Sequence, residues 1–287
     1  MAGTAYSQGE WTTADGLTLR YRDYPGRADR PPLLCIPGLT RNCRDFEPVV
    51  EAFAGEYRVI AIDLRGRGQS DYARDPASYV PAQYVADVGA LLDQAGLDRV
   101  VAIGTSLGGI VIMLLALTMP ERIAAAALND IGPEVEPAGL ARIRDYVGQG
   151  RSFATWMHAA RGLREQGGVA YPDFAISDWL RLAKRLMVVG PGGRIAFDYD
   201  MRIAEPFNRA DEAAPVDLWP TFRALAGRPV LALRGAHSDI LSAATLERMT
   251  RELAGLETVT IARVGHAPTL EEPEARSAIA GLLARTA

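Results

Sequence analysis

The stretch Val100-Val101-Ala102-Ile103-Gly104-Thr105-Ser106-Leu107-Gly108-Gly109, followed by the apolar run Ile110 to Leu117, decides how this chain folds. Val100 to Ile103, bounded by glycine, suits a short strand buried on both faces, and the longer apolar run after Ser106 exceeds strand length and suits a buried helix. Ser106 stands between them. Gly104 and Gly108 flank it at minus two and plus two, where the lack of a Cβ lets strand and helix approach closely enough to hold a serine in a strained backbone and lift its hydroxyl out of the sheet. Gly-x-Ser-x-Gly recurs by chance, and the strand before it and the helix after it give it weight. The bland alternative is an ordinary glycine-rich strand-to-helix turn.

Working outward, the same alternation repeats. Trp11 to Arg22 alternates around Asp15-Gly16 as an antiparallel hairpin at a sheet edge. Leu33 to Ile36 and Tyr57 to Leu64 read as buried strands separated by a helix, Arg65 to Ser70 as a flexible loop, and Pro81 to Gly96 as a helix. Ala124 to Ile131, Pro229 to Gly235 and Glu257 to Ala262 continue the strands, with helices near Ala243 to Leu253 and Pro273 to Leu283. Strand, helix, strand, helix predicts an α/β fold with a mostly parallel sheet. Between Glu134 and Val216 the rhythm changes to helical segments with no convincing buried strand, so residues 1–133 and 217–287 are expected to form the core and 134–216 an inserted helical subdomain.

Bulk properties narrow the function. The chain has 287 residues, of which 48% are hydrophobic, enough for a large core without staples. Its net charge of -4 comes from interspersed residues and offers no field for nucleic acid or an anionic membrane, which leaves a small molecule as the expected partner. Cys35 and Cys43 are the two cysteines, and free thiols are expected rather than a disulfide framework or metal cluster. No run reaches membrane-span length and the start of the chain lacks signal-peptide character, so a soluble, cytoplasmic protein is expected. Lys184 is the single lysine among 31 basic residues, a bias that suits a GC-rich, bacterial genome.

A serine hydroxyl needs a base to take its proton, and the base needs a third group to orient it. Of the three histidines, His158 falls in the insertion, His237 beside Asp239, and His266 at the start of a loop after the last strand, on the sheet edge where ligands bind. His266 is therefore the candidate base. For the acid, Asp239, just past a strand in the chain order Ser, Asp, His, and Asp130, at the end of the preceding strand, meet the same criteria, and sequence order does not separate them. The backbone amides of Leu39 and Leu107 are the natural donors to an oxyanion, and Arg41 and Asn42 lie close enough in sequence to touch a substrate. In the insertion, Trp156, Met157, Trp179 and Phe207 are candidates to line a pocket.

Ile36-Pro37-Gly38-Leu39, Asp63 to Ser70, Gly104 to Gly109, Gly235 to Asp239 and Gly265-His266-Ala267-Pro268 together resemble the α/β-hydrolase superfamily, in particular its capped bacterial esterase, lactonase and carbon-carbon-bond hydrolase branch. The resemblance spans the whole core. It implies an α/β-hydrolase fold with an eight-stranded type of sheet flanked by helices, a cap over 134–216, no cofactor and no metal. It also implies Ser106 as nucleophile, His266 as base, Asp239 as acid, and Leu39 and Leu107 as oxyanion donors. Pro37 replaces the histidine that commonly braces the oxyanion loop. A serine at the elbow separates the chain from relatives that attack through aspartate. The expected activity is hydrolysis of a carboxylic ester or lactone through an acyl-enzyme. Carbon-carbon hydrolysis of a vinylogous diketone uses the same triad, and a non-catalytic binding module would keep the pocket alone.

Overall fold

The computed structural model describes residues 4–209 and 216–286. Residues 1–3 and 287 of the expected core and 210–215 of the expected insertion lie outside the described residues. An eight-stranded sheet runs in the order β1 (Ser7–Thr12), β2 (Thr18–Tyr24), β4 (Val59–Asp63), β3 (Leu33–Ile36), β5 (Val100–Thr105), β6 (Ile123–Asn129), β10 (Val230–Gly235) and β11 (Leu256–Ile261). β1 and β2 pair antiparallel, as do β2 and β4, and every later pair is parallel. Parallel strands need crossovers, and helices α1 (Glu47–Phe53), α2 (Pro81–Gln94), α3 (Leu107–Thr118), α9 (Ala243–Glu252) and α10 (Pro273–Ala284) supply cover for the sheet. β3, β4 and β6 are buried at every residue, which is why they read as unbroken apolar runs.

The centre of the sheet holds the elbow. Val111, Ile112, Met113 and Leu115 of α3 are all fully buried, each contributing about 1.5–3 kcal/mol through burial. α3 docks tightly onto the ends of β3 and β5. A Cβ on Gly108 would sit 2.0 Å from the Ile36 carbonyl oxygen, and one on Gly104 would sit 2.4 Å from the Gly108 carbonyl carbon. Both positions therefore admit glycine alone. Squeezed between them, Ser106 takes a left-handed φ of 52°, a conformation that costs a residue with a side chain of order 1–3 kcal/mol.

Two expectations need correction. The segment Arg65 to Ser70 is clamped rather than loose. Arg65 is fully buried and forks onto Asp87 at 2.6 and 2.7 Å, while buried Arg67 donates through Nε to the Leu39 carbonyl at 2.9 Å. Arginine in a loop reads as solvated, and only the tertiary partners reveal otherwise. The second concerns the segment between β6 and α8 (Trp219–Arg223), which contains α4 (Pro137–Arg144), α5 (Trp156–Gly167), α6 (Ile176–Leu186) and α7 (Ala204–Arg209) but is not all helical. Its strands β7 (Ser152–Phe153), β8 (Met187–Val189) and β9 (Ile195–Phe197) form a separate antiparallel sheet in the order β7-β9-β8. Strands of two or three residues are too short for side-chain alternation to register.

Candidate active site

The carboxyl ends of β5 and β6 and the loop after β11 bring three side chains into line. Ser106 Oγ lies 3.0 Å from His266 Nε2, and His266 Nδ1 lies 2.8 Å from Asp130 Oδ2. A carboxylate only accepts, so Nδ1 carries the ring proton and Nε2 is left to accept from the Ser106 hydroxyl. The Ser106 amide donates to the Asn129 carbonyl at 3.0 Å, which fixes the turn at Ser106 against the end of β6.

Asp130, not Asp239, is the carboxylate bonded to His266. Its side chain is wholly buried, and its backbone takes a φ of 57°. Besides His266 it accepts from the Gly235 amide at 2.8 Å and from the Ser238 hydroxyl at 2.6 Å. Three donors on one buried carboxylate compensate its desolvation and hold it in one orientation. Asp239 lies one residue past Ser238 with 35% of its side chain exposed, and it forks onto Arg142 of α4 at 2.5 and 2.8 Å. Burial works to raise the Asp239 pKa, but the Arg142 guanidinium outweighs it and holds the carboxyl below its usual range. Ser238 and Asn129 were not legible as site residues. Asn129 ties the region together, donating to Thr105 Oγ1 at 3.0 Å and to the Pro268 carbonyl at 2.9 Å, so one amide spans the nucleophile strand and the His266 loop.

The amides expected to receive an oxyanion are those of Leu39 and Leu107. Neither the Leu39 nor the Leu107 N–H donates to a protein acceptor among the described residues. The Gly38 carbonyl folds back to accept from Arg41 N at 3.2 Å, and a trans peptide then points the Leu39 N–H the other way. Leu107 opens α3, whose dipole places partial positive charge beside Ser106. Where Pro37 removes the customary histidine brace, the buried Arg67 guanidinium takes hold of the same loop through the Leu39 carbonyl.

A cavity of about 150 Å³ opens over Ser106. The core contributes Gly38 to Arg41, Thr105, Ser106 and His266 to Leu270, and the inserted segment contributes an apolar wall that includes Ile143, Leu163, Trp179, Leu182 and Phe197. Trp179 is packed edge-on against Tyr171 and Phe174 at centroid distances of 5.8 and 5.2 Å. The insertion also brackets His266. Gly265 N donates to the Ala170 carbonyl at 2.6 Å, and the Tyr171 hydroxyl donates to the Ala267 carbonyl at 2.7 Å.

Of the residues the sequence suggested for substrate contact, Arg41 and Trp179 line the cavity. The others are placed elsewhere. Trp156 packs against the buried apolar cluster that includes Leu33, Phe46 and Leu186, Met157 is exposed, and Phe207 packs beneath Arg144 and against the buried cluster that includes Ile143, Val147 and Ile203. Asn42 is buried as a cap of the following turn, with its amide on the Arg185 carbonyl at 3.0 Å. His158 closes the first turn of α5 against Thr155, and His237 is exposed. Cys35 and Cys43 are both free and buried, and burial pushes both thiols up. Among the described residues no cluster of His, Cys, Asp or Glu is arranged to hold a metal ion, and no helix is long and apolar enough to cross a membrane.

The parallel sheet, the strained serine between β5 and α3 and the histidine after the last strand define a hydrolase architecture, and the chain belongs to the α/β-hydrolase fold family, whose model matches residues 31–273. An α/β hydrolase from Novosphingobium aromaticivorans, known from its crystal structure, is 60% identical over 99% of both chains with a TM-score of 0.94. The 3-hydroxybutyrate-oligomer hydrolase of Cupriavidus necator is 34% identical over 262 residues, covering 89% of each chain. The 3-oxoadipate enol-lactonase 2 of Acinetobacter baylyi is 26% identical over 267 residues, covering 92% of this chain and 91% of that relative.

Proposed function

We propose that this hydrolase is a serine esterase that cleaves a short carboxylic ester or lactone through an acyl-enzyme, with Ser106 as nucleophile, His266 as base and then acid, and Asp130 as the orienting carboxylate. The observation that carries this reading is the continuous contact from Ser106 Oγ to His266 Nε2 and from Nδ1 to Asp130, at 3.0 and 2.8 Å. His266 takes the hydroxyl proton as Ser106 Oγ adds to the carbonyl carbon, and the Leu39 and Leu107 amides receive the negative charge that develops on the carbonyl oxygen. The imidazolium returns the proton to the departing alkoxide, which leaves the acyl group on Ser106. Water then repeats the sequence with His266 again as base, releasing the acid and restoring the serine.

The described part of the insertion, residues 134–209, acts as a cap over the cavity, and its apolar lining excludes water from the acyl-enzyme. The cavity of about 150 Å³ favours a short acyl group, as does the likeness to a hydrolase of 3-hydroxybutyrate oligomers. The enol-lactonase likeness adds a lactone as a second substrate form of the same chemistry.

The test is Ser106→Ala. Hydrolysis of p-nitrophenyl butyrate is expected to fall at least about 10³-fold, and a fluorophosphonate is expected to label the wild type and not the variant. Turnover retained by the variant would assign the chemistry to another group.

A further inference from the structure

The ionisable lining of the cavity over Ser106 is weighted toward positive charge, with Arg41, Arg142 and Arg185 against Asp45. Arg142 and Arg185 are already engaged by protein carboxylates. Asp239 takes both donors of the Arg142 fork, and Glu47 and Glu271 hold Arg185 at 3.3 and 2.6 Å. Arg41 differs. Its Nε pairs with Asp45, four residues along the chain, and neither Nη donates to a protein acceptor among the described residues. Its side chain is 28% exposed, and Arg41 is part of the cavity wall.

The location of this unspent pair of donors matters. A carbon in the Cβ position of Gly38 would lie 3.2 Å from Arg41 Cγ and 3.7 Å from Ser106 Cβ, so the arginine stem starts beside the nucleophile. The groups facing the guanidinium are Asp45 and the phenols of Tyr171 and Tyr146. Burial raises both phenol pKa values above the ordinary tyrosine range, so both hydroxyls are neutral near pH 7 and Asp45 is the anion facing Arg41. Asp45 meets the guanidinium at Nε, which leaves the Nη1 and Nη2 edge as a planar two-donor fork. That fork matches the two oxygens of a carboxylate.

We propose that Arg41 is a specificity-determining residue that binds a free carboxylate of the substrate, so that the site selects esters bearing an acid group a few bonds from the scissile carbonyl. The proposal rests on the esterase reading above. Asp45 orients the fork by holding Nε, and the carboxylate docks on the opposite edge without displacing it. Because the contact is made away from the reacting atoms, it acts on ground state and transition state alike and is read in KM more than in kcat.

The experiment compares acids with their uncharged, nearly isosteric amides. One pair, 3-acetoxybutanoate and 3-acetoxybutanamide, carries the extra group on the alcohol side. The other, monomethyl glutarate and methyl 4-carbamoylbutanoate, carries it on the acyl side. For at least one pair the wild type is expected to favour the acid about 10- to 100-fold in kcat/KM, the range of a charge-assisted hydrogen bond. Arg41→Gln is expected to bring that ratio to within about threefold of unity. Arg41→Lys keeps the charge without the fork and is expected to restore part of the preference, which loss of folding or of cavity shape would not do. An acid preference unchanged in Arg41→Gln, or wild type turning over acids and amides alike, overturns the proposal. Failure of the wild type to hydrolyse p-nitrophenyl butyrate would instead overturn the esterase reading, so the two are separable.

Discussion

The ends of β6 and β10 offer the same thing in sequence and different things in space. Each strand closes on the ligand-binding edge of the sheet, and each is followed by an aspartate, Asp130 and Asp239. Asp130 turns inward through a left-handed φ of 57° and is bonded by His266, Ser238 and the Gly235 amide. Asp239 turns outward onto Arg142. The β10 end still reaches the histidine's partner, through Ser238. Two strand ends thus share one task, with the charge supplied by one and a supporting hydroxyl by the other. What sets Asp130 apart from Asp239 is therefore the set of donors aimed at a buried carboxylate, and not its position in the chain.

The sharpest way to break this comparison is Asp130→Asn. An amide at 130 presents a donor as well as an acceptor, and turning its oxygen to Nδ1 and Ser238 forces its NH₂ toward the Gly235 amide, a donor that needs an acceptor. The imidazole loses its preferred tautomer and the stabilisation of its positive charge. A loss of about 10³- to 10⁴-fold in kcat on p-nitrophenyl butyrate is expected, with fluorophosphonate labelling slowed in step. A rate within tenfold of wild type would return the acid's role to Asp239.

An exchange of the two groups sharpens the comparison further. Ser238 Oγ and His266 Nδ1 meet at the same oxygen, Asp130 Oδ2, at 2.6 and 2.8 Å, so a carboxylate grown from position 238 starts beside the imidazole. In Asp130→Ser/Ser238→Asp the same two side chains trade strands. The expected result is recovery of about 10- to 100-fold over Asp130→Asn, short of wild type because the Gly235 amide no longer meets its acceptor. An exchange variant no faster than Asp130→Asn would mean that the β6 end is required for its backbone geometry as well as its charge.

The same contrast explains what could be read before the structure. Ser106 and His266 were legible because each is fixed by backbone constraints that leave a mark in sequence, glycines two residues either side of the serine and a strand ending before the histidine. The central strands were legible because burial on both faces demands unbroken apolar runs such as Leu33 to Ile36, and the half-exposed edge hairpin was legible from alternation around Asp15-Gly16. The acid was not, since its identity depends on a donor from another strand, and Ser238 looks like any turn serine. Arg65 to Ser70 read as a flexible loop, and the burial of Arg65 and Arg67 depends on Asp87 and on the Leu39 carbonyl, which lie elsewhere in the chain. In the insertion, apolar residues served equally for its own packing and for the cavity. Trp179 lines the cavity and Trp156 does not, and both sit in helices of the insertion.

The smallest effect is expected from Asp239→Asn, and its smallness is the point of the comparison. The change removes the ion pair with Arg142 and leaves Asp130, His266 and Ser106 in contact, so kcat on a neutral ester is expected to stay within about threefold of wild type. Stability should respond in acid. The folded pKa of Asp239 lies below the ordinary carboxylate range, so the pair's contribution is present above that range and is lost as pH falls through the lower, folded value. Thermal melts of wild type and variant at pH 7 and near pH 3 are therefore expected to differ more at the higher pH, and the gap should narrow in acid as the wild-type carboxyl takes its proton. A gap that widens in acid would show that Asp239 is held by something other than Arg142. Release of Arg142 has a second consequence, because that arginine lines the cavity and its fork would then face the substrate without an acceptor of its own. Asp239→Asn is accordingly expected to strengthen the preference for acids over amides by about two- to fivefold, opposite in sign to Arg41→Gln.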